Sequence, residues 1–352
     1  MLIVDDSALI RTVLRDVIGG MDGFEVIGTA SNGREAIDAV KALRPGIVTL
    51  DVEMPELDGL ATLAAIMRDS PCAVVMLSGA ETKGGVDLTL RALELGAVDF
   101  VRKSGVSGGE QGAIGGRLRA ALLAAAATNV EAVSRSTGEF KSIGGRPVRT
   151  KPAPGAPARV VVAIAASTGG PRALTDVVTG LPADFDAAVL VVQHMPRGFT
   201  EGLARRLAQV TPLAVVEARD GDLVTQGKVF LAPGGSHMRV VAGHDGGHVT
   251  LDDGPTIWGV RPAADPLFVS VAQLYGDASV GVVLTGMGRD GSLGLMAIRE
   301  AGGGAIVQDE ASSAVYGMPR EALATAGADR TVAPLGVAAA ASELLARQRV
   351  LK

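Results

Sequence analysis

The sequence predicts an α/β protein with two domains. Apolar runs of strand length alternate with amphipathic segments of helix length, and 47 glycines punctuate the 352 residues. A segment rich in Pro, Gly, Ser and basic residues separates two regions of this kind. Strands that alternate with helices form parallel sheets, and a chain of this length is too long for one ordinary core.

The first region, residues 1 to about 104, contains five strand-like runs. They are LIV, FEVIGTA, GIVTL, AVVML and AVDFV, and the segments between them are SALIRTVLRDVI, GREAIDAVKALR, GLATLAAIMRD and VDLTLRALELG. Repeated β/α units with short connections predict a doubly wound, five-stranded parallel sheet with right-handed crossovers. An Ala-rich helix from about Arg117 to Asn129 completes a first domain over residues 1–129.

Residues 130–157 have little apolar periodicity, which predicts a flexible linker. Strands and helices alternate again over residues 158–352, with helices such as PRALTDVVTGL, TEGLARRLAQV, PLFVSVAQLYG and SLGLMAIREAG. The runs HMRVV and HVTLD flank a turn near residues 244–247. This second domain is therefore expected to have a mostly parallel sheet and one β-hairpin.

Composition excludes several classes of protein. The apolar stretches are too short to cross a membrane, so we expect no membrane insertion. The first residues enter a strand without the regions of a signal peptide, which favours the cytoplasm. A net charge of -5 without a long basic cluster gives no footprint for nucleic acid. The single cysteine, Cys72, starts an apolar run and is expected to be a small core residue rather than a redox group.

Polar residues follow four strands of the first domain at their carboxyl ends: Asp5, Asp6, Asp51, Ser78 and Lys103. Three carboxylates together attract a hard divalent cation, and Mg²⁺ suits a site completed by water and phosphate oxygens. A carboxylate beside such an ion can attack a phosphoryl group, with the lysine neutralising the developing charge and the serine donating a hydrogen bond to the phosphoryl group. Each aspartate could instead be a helix cap or turn former. Five such residues at four strand ends favour the site.

Three apolar runs of the second domain end on chemically reactive residues. Ser167 follows VVVAIAA, His194 follows VLVVQ, and Asp290 follows VGVVLTGMGR. Ligands bind beyond the carboxyl ends of the strands in open α/β sheets, so these three residues are predicted to converge there. They are a nucleophile, a base and an orienting carboxylate. The alternative for Asp290 is a cap for the helix starting near Ser292.

The segment after Ser167 predicts a sharp turn into a helix. Thr168, Gly169 and Gly170 precede Pro171, which is tolerated at the first helical position. Free N–H groups and the helix dipole at such a turn stabilise an oxyanion. The rival interpretation is a phosphate-binding loop, but no Gly-Lys-Ser/Thr and no G-x-G-x-x-G pattern is present.

The other histidines are His237, His244 and His248. Asp-Gly-Gly separates His244 from His248, which predicts a turn instead of the shared helical face that a zinc pair uses, so no zinc site is expected. For His237 a structural role is favoured over contact with a substrate.

With the stretch DVEMPELDGL, the polar residues make residues 1–104 resemble the receiver domain of two-component response regulators. The resemblance implies that Asp51 is the phosphoacceptor. It also implies that Asp6, Asp51 and the Glu53 carbonyl hold the Mg²⁺ needed for phosphorylation, that Asp5 acts through water, and that Phe100 is the switch aromatic. Two features depart from the family. Ser104 stands where the family usually has proline after its lysine, and the first strand starts almost at Met1.

The stretches ASTGGPRAL, VQHMPRGFT, LAPGGSHM and LTGMGRDG resemble the catalytic domain of the chemotaxis protein-glutamate methylesterases, the CheB family, in which a receiver domain is tethered ahead of the enzyme. The resemblance implies a three-layer α/β/α, Rossmann-like domain with Ser167, His194 and Asp290 as its triad. It further implies that Thr168 assists near the nucleophile and that the Met287 N–H helps to form the oxyanion hole.

The implied function is a phosphorylation-activated hydrolase for glutamate methyl esters, and also for glutamines, of methyl-accepting chemotaxis receptors. The implied partners are receptor cytoplasmic helices as substrate and a chemotaxis histidine kinase as phosphodonor, with recruitment to receptor arrays. No cofactor is expected for the esterase reaction. Two alternatives stay open: the same enzyme acting on a non-chemotaxis protein or small ester, and a phosphate sink or binding regulator with an idle esterase site.

Overall fold

The computed structural model describes residues 1–79, 85–103, 111–137 and 155–350. The chain divides into two compact units, Met1–Lys141 and Ser142–Lys352. Each unit has a parallel sheet and a hydrophobic core of its own. Within the described ranges no helix combines the length and the apolar character that crossing a bilayer requires.

The first unit is a five-stranded parallel sheet with strand order β2-β1-β3-β4-β5. This order confirms the doubly wound fold predicted from the five β/α repeats. Its elements are β1 (Leu2–Val4), α1 (Ala8–Gly19), β2 (Gly28–Ala30), α2 (Gly33–Leu43), β3 (Ile47–Asp51), α3 (Gly59–Asp69), β4 (Ala73–Ser78), α4 (Gly85–Glu94), β5 (Asp99–Arg102), α5 (Gln111–Ala126) and α6 (Val130–Thr137).

Local sequence explains where the helices of this unit begin. The side chains of Ser7, Asn32 and Asp58 accept backbone N–H groups in the first turns of α1, α2 and α3. Such caps satisfy donors that the helix itself leaves unpaired. The central strands β1, β3 and β4 are entirely buried, as expected for a parallel sheet covered on both faces, while the edge strands β2 and β5 are partly exposed.

The structure corrects three of the predicted boundaries. Strand β2 covers only the last three residues of FEVIGTA, and α5 begins at Gln111, before Arg117. Helix α6 lies inside the predicted linker, because the Asn129 side chain accepts the Ala132 N–H and Glu131 adds a negative charge in the first turn. Most of the remaining linker lies outside the described residues, so the domain limits at 129 and 157 stay predictions.

The second unit has a seven-stranded sheet with strand order β14-β13-β12-β6-β7-β9-β8. All neighbouring pairs in it are parallel, and β10 and β11 form the separate antiparallel hairpin that the sequence predicts. The elements are β6 (Val161–Ala166), α7 (Gly170–Thr179), β7 (Ala188–Gln193), α8 (Thr200–Leu207), β8 (Ala214–Glu217), β9 (Lys228–Leu231), β10 (His237–Ala242), β11 (Gly247–Asp252), α9 (Ala264–Tyr275), β12 (Ser279–Val283), α10 (Ser292–Glu300), β13 (Gly304–Gln308), α11 (Gly317–Ala326), β14 (Arg330–Val332) and α12 (Val337–Val350).

Helices cover both faces of this sheet. Alternate strand residues, such as Ala163 and Leu190, share one core with α9, α10, α11 and the hairpin. The intervening residues, such as Ile164 and Val191, are equally buried and face the side where α7 and α12 contact the sheet. This arrangement is the three-layer α/β/α architecture that the resemblance to the methylesterase catalytic domain implies.

The strand order also locates a ligand site. The chain passes from β6 to its neighbour β7, and it passes from β12 to β13 in the opposite direction across the sheet. A crevice opens beyond the carboxyl ends of two neighbouring strands where the winding direction reverses in this way. The loops after β6 and β12 are therefore the expected walls of the site.

Gly59 offers a test of the packing in the first unit. A Cβ at this position would overlap the Asp51 carbonyl oxygen and lie 2.8 Å from the Val52 Cα. We expect Gly59→Ala to lower the free energy of unfolding by about 1–3 kcal/mol, because α3 must move away from β3. Urea unfolding of the full chain measures this change. The control is Gly46→Ala, since no heavy atom lies within 4 Å of its added Cβ. Equal urea midpoints for the two variants would contradict the packing described.

Candidate active site and phosphoacceptor site

Backbone pairing brings three strand ends of the second unit to one edge of the sheet. Ala166 of β6 pairs with Gln193 of β7, and Ala165 of β6 pairs with Val283 of β12. Each strand end therefore lies within one residue of its neighbour's end. Parallel strands point in the same direction, so the residues that follow them emerge on the same side.

Hydrogen bonds continue beyond the ends of these strands. The His194 N–H donates to the Ala166 carbonyl at 3.0 Å, and the Ser167 N–H donates to the Thr285 carbonyl at 3.0 Å. The Gln193 side chain donates from Nε2 to the carbonyls of Ser167, at 2.9 Å, and His194, at 3.4 Å. The backbones of the predicted nucleophile and base are therefore linked to each other.

The structure pairs His194 with Asp290 directly. His194 Nε2 lies 2.7 Å from Asp290 Oδ2, and the two side chains are 9% and 3% exposed. A carboxylate only accepts hydrogen bonds, which assigns the ring proton to Nε2 and leaves the lone pair on Nδ1. The better-known serine hydrolase triads present the opposite ring nitrogen to the carboxylate. The acceptor that remains for a serine hydroxyl is thus Nδ1.

Asp290 is held ionised by its surroundings. Its carboxylate also accepts the N–H groups of Ala264, at 2.6 Å, and Asp265, at 3.1 Å, in the first turn of α9. Burial by itself raises the pKa of the Asp290 carboxyl, but the hydrogen bond and charge of His194, together with these two donors, outweigh it and lower the pKa. An ionised carboxylate at this position can stabilise a protonated His194.

Ser167 occupies a tight turn between β6 and α7. Helix α7 starts at Gly170, one residue before the predicted Pro171, and Gly169 has a φ of 77°. A Cβ on Gly170 would overlap the Gln193 amide oxygen, and a Cβ on Gly286 would lie 2.7 Å from the Ser167 Cβ. Only glycine allows this close approach of backbone segments.

The Ser167 hydroxyl is half-buried, and within the described parts of the chain it makes no hydrogen bond to the His194 ring. Catalytic hydrogen bonds are often long without substrate and shorten when it binds. The structure therefore gathers the backbones of the three predicted residues and joins the side chains of two of them. Their catalytic roles stay predictions at this point.

The backbone N–H predicted to help form the oxyanion hole, that of Met287, lies on a loop held by backbone hydrogen bonds. The Gly286 N–H donates to the Val315 carbonyl at 2.9 Å, and the Gly286 carbonyl accepts the Met318 N–H at 2.7 Å. No acceptor for the next N–H, that of Met287, is found among the residues described, and the same is true of the Thr168 N–H. Both N–H groups can therefore donate to a bound oxyanion.

Sequence reasoning assigned no role to several residues that hold the site together. Gln308 Oε1 accepts the Thr285 N–H at 2.7 Å, and Thr285 Oγ1 donates to the Thr168 carbonyl at 2.9 Å. A usable signal was present, because Gln193 and Gln308 each end a buried apolar strand, as Ser167 and His194 follow one. Asp265 does not follow or end an apolar strand, so the sequence gives no comparable signal for it.

His237 has the structural role favoured from the sequence. Its Nδ1 accepts the Ala263 N–H at 3.1 Å, and its Nε2 donates to the Pro255 carbonyl at 3.0 Å. The side chain thus bridges the two ends of the segment 255–263. In the described residues His248 pairs with Asp245 on the hairpin, and no metal-binding group that includes these histidines is found.

The first unit gathers the acidic residues that the sequence predicts. Side-chain oxygens of Asp5, Asp6 and Asp51 lie within 4.8 Å of one another. Lys103 Nζ lies 2.7 Å from both Asp5 and Asp51. Burial raises the pKa of Asp51 to about 6, against the opposing effect of Lys103. A buried carboxylate pair with one lysine keeps surplus negative charge and oxygen donors, which fits a hard divalent cation.

The remaining predicted residues lie on β4, on β5 and on the loop after β3. Ser78 is buried at the end of β4, where its carbonyl accepts the Lys103 N–H at 2.8 Å. The Glu53 N–H donates to Asp51 Oδ1 at 3.4 Å, and Phe100 is buried in β5. Ser104, where the family usually has proline, lies outside the described residues.

Each of the two regions matches a known protein family. Residues 162–341 match the family model of the CheB methylesterase, and residues 1–107 match that of the response regulator receiver domain. The crystal structure of the Thermotoga maritima CheB methylesterase catalytic domain is similar, with a TM-score of 0.52 and 38% identity, and the match covers 53% of this chain and 98% of that one.

Similar curated proteins extend over nearly the whole chain. A protein-glutamate methylesterase/protein-glutamine glutaminase of Pyrococcus horikoshii is 44% identical over 338 residues, which is 94% of this chain and 89% of the relative. A protein of the same description from Symbiobacterium thermophilum is 45% identical over 344 residues, 95% of this chain and 93% of the relative. This chain therefore belongs to the CheB methylesterase family, with a response regulator receiver domain ahead of its methylesterase domain.

Proposed function

We propose that this protein is a phosphorylation-activated hydrolase that demethylates glutamate methyl esters, and deamidates glutamines, on methyl-accepting chemotaxis receptors. The observation that carries the proposal is the buried His194–Asp290 hydrogen bond at the strand ends, beside the turn that holds Ser167. The substrate class comes from the descriptions of the similar proteins.

The proposed chemistry is acyl transfer through the serine. Ser167 Oγ attacks the γ-carbonyl carbon of the methylated glutamate, and His194 Nδ1 takes the hydroxyl proton. Asp290 stabilises the resulting imidazolium, which then gives its proton to the departing methoxy oxygen, so methanol leaves. Water attacks the acyl-serine in the same manner and releases glutamate. With a glutamine substrate the leaving group is ammonia.

Backbone donors stabilise the negative charge that develops on the carbonyl oxygen. The Met287 N–H lies on the loop held by Gly286, and the Thr168 N–H lies in the turn between Ser167 and α7. Gly169 and Gly170 let the chain turn so that the helix dipole adds to this stabilisation. Preorganised donors of this kind favour the transition state over the ground state.

The receiver domain supplies the regulation in this proposal. A chemotaxis histidine kinase is the proposed phosphodonor for Asp51, and Ser78 and Lys103 interact with the attached phosphoryl group, while Phe100 is the switch aromatic. Asp6, Asp51 and the Glu53 carbonyl would hold Mg²⁺, with Asp5 acting through water. When bound, Mg²⁺ neutralises phosphoryl charge during transfer. The reaction takes place in the cytoplasm, on the cytoplasmic helices of receptors in their arrays.

Removal of the serine hydroxyl tests the nucleophile. We expect Ser167→Ala to lower methanol release from methylated receptor membranes by about a thousandfold or more, because no acyl-serine can form. The control is Ser342→Ala, since that hydroxyl donates only within helix α12. If Ser167→Ala hydrolyses the ester as fast as the unmodified protein, the site is idle and a binding regulator is the better description.

The oxyanion donor is tested by deleting one N–H group. We expect Met287→Pro to reduce kcat/KM by about 10²- to 10³-fold, because the imino acid lacks the donor. Met287→Ala keeps the N–H and is the control, and it should retain most of the activity because the side chain is 44% exposed. Thermal melts confirm that both variants are folded. Equal activity in the two variants would argue against this donor.

The phosphoacceptor is tested through the ratio of stimulated to basal hydrolysis. We expect a small-molecule phosphodonor to raise methanol release by the unmodified protein, and Asp51→Asn to bring that ratio to one because the amide cannot accept the phosphoryl group. Asp69→Asn is the control, since Asp69 is paired with Arg68 at the surface. A ratio above one in Asp51→Asn would contradict phosphorylation of this residue.

A further inference from the structure

Asp290 and Asp265 cap each other's helices. The Asp290 carboxylate accepts two N–H groups in the first turn of α9, and Asp265 belongs to that turn. The Asp265 carboxylate in turn accepts the Gly294 N–H at 2.8 Å, in the first turn of α10, which begins two residues after Asp290. The N-cap residues of these helices, Ala263 for α9 and Gly291 for α10, provide no side-chain hydrogen bond. Asp290 therefore holds the start of α9, and Asp265 holds the start of α10.

The packing leaves no room for independent movement of these helix starts. A Cβ on Gly294 would overlap the Cβ of Phe268 and lie 3.2 Å from the Asp265 Cα. Gly291, just after Asp290, has a φ of 87°, and its added Cβ would lie 3.2 Å from Ala165 of β6. A displacement of Asp265 would therefore reach the backbone next to Asp290.

The second oxygen of Asp265 is held by Trp258. The indole Nε1–H donates to Asp265 Oδ2 at 2.8 Å. Trp258 lies in a tight turn closed by two reciprocal backbone hydrogen bonds between Ile257 and Val260, at 3.1 and 3.0 Å. Its φ of 54° lies in the left-handed region, which is rare for a bulky residue and strains the backbone. His237 holds the ends of the segment that carries this turn, as described above.

Trp258 also contacts the loop that carries Asp290. The guanidinium carbon of Arg289 lies 5.2 Å from the centre of the indole ring, and Arg289 immediately precedes Asp290. The indole is 49% exposed, so its burial does not explain the strained backbone. Backbone strain of this kind persists where surrounding contacts fix it, and it is concentrated at functional sites.

We propose that Asp265, held by the Trp258 indole N–H, is a positioning residue that fixes Asp290, and through it His194, for catalysis. The inference rests on the proposed function, because Asp290 needs accurate placement only if His194 acts as a base. Asp265 contributes its two acceptor oxygens separately, one to α10 and one to Trp258. Burial raises the pKa of Asp265, and the nearby Asp290 charge adds to this effect, which agrees with two carboxylates in one confined site.

Two substitutions separate these contacts in the full chain. Asp265→Asn replaces one oxygen by an amide NH₂, so one of the two donors loses its acceptor. Trp258→Phe keeps an aromatic side chain but removes the N–H donor together with the pyrrole half of the indole. The matched control is Asp329→Asn, because the Asp329 carboxylate accepts the Ala305 N–H at 2.8 Å near the opposite, amino-terminal end of β13.

Ester hydrolysis supplies the first readout, with methylated receptor membranes as substrate. We expect Asp265→Asn to lower kcat about tenfold and Trp258→Phe to lower it by a smaller factor, with KM changed less than about twofold, because misplaced catalytic groups slow the chemical step. The double variant should lose no more than Asp265→Asn alone, since both changes act on one path. Asp329→Asn should keep both constants. A kcat within twofold of the unmodified value in both variants, or a rise in KM alone, would overturn the proposal.

The His194 ring supplies a second readout that does not depend on turnover. The proton on Nε2, hydrogen-bonded to Asp290, should give a downfield NMR signal that shifts or exchanges faster with solvent in Asp265→Asn and Trp258→Phe but not in Asp329→Asn. An unchanged signal in the first two variants refutes the positioning role. If Ser167→Ala hydrolyses the ester normally, the esterase proposal fails instead, while this signal still reports whether Asp265 fixes the pair.

Discussion

Backbone pairing of β6 with β7 and β12 positions the strand ends that carry the candidate site of the methylesterase domain. Peptide hydrogen bonds fix the register Ala166 to Gln193 and Ala165 to Val283, so the segments that follow must share one edge of the sheet. Because successive residues of a strand point to opposite faces, a shift of one residue would reverse the side chains of a whole strand and misplace the residue that follows it. The geometry of the candidate site is therefore a consequence of backbone register.

Two aspartates at comparable strand ends have opposite pKa shifts. Burial raises the pKa of both, but Asp51 has a neighbouring carboxylate and one lysine, and its pKa is about 6. Asp290 has two helix N–H groups and His194, and its pKa is lowered. The hydrogen-bond donors and charges around each carboxylate decide whether burial raises its pKa or its partners lower it. The first environment suits a carboxylate that gains a cation and a phosphoryl group, and the second suits one that must stay charged beside an imidazole.

The site also depends on close backbone contacts that no side chain could replace. Gly170 lies against the Gln193 amide, Gly286 against Ser167, and Gly294 against α9. In this closely packed region the Asp290 side chain is 3% exposed, the His194 side chain is 9% exposed and Ser167 is half-buried. Electrostatic interactions strengthen where water is excluded, so the packing around the site is part of its chemistry.

From the amino-acid order alone we could predict the α/β class, the five-stranded first sheet, the hairpin and the residues that follow each buried strand, because strand and helix periodicity and glycine turns are local signals. Four features emerged only from the folded chain: the strand order, the helical state of residues 130–137, the imidazole nitrogen that faces Asp290, and the link from Trp258 to Asp265. The strand order and the His194–Asp290 pair arise between segments distant along the chain, where one residue's partners depend on how all the others pack. The other two features are local: Asn129 caps α6 within a segment of weak periodicity, and Trp258 lies seven residues from Asp265.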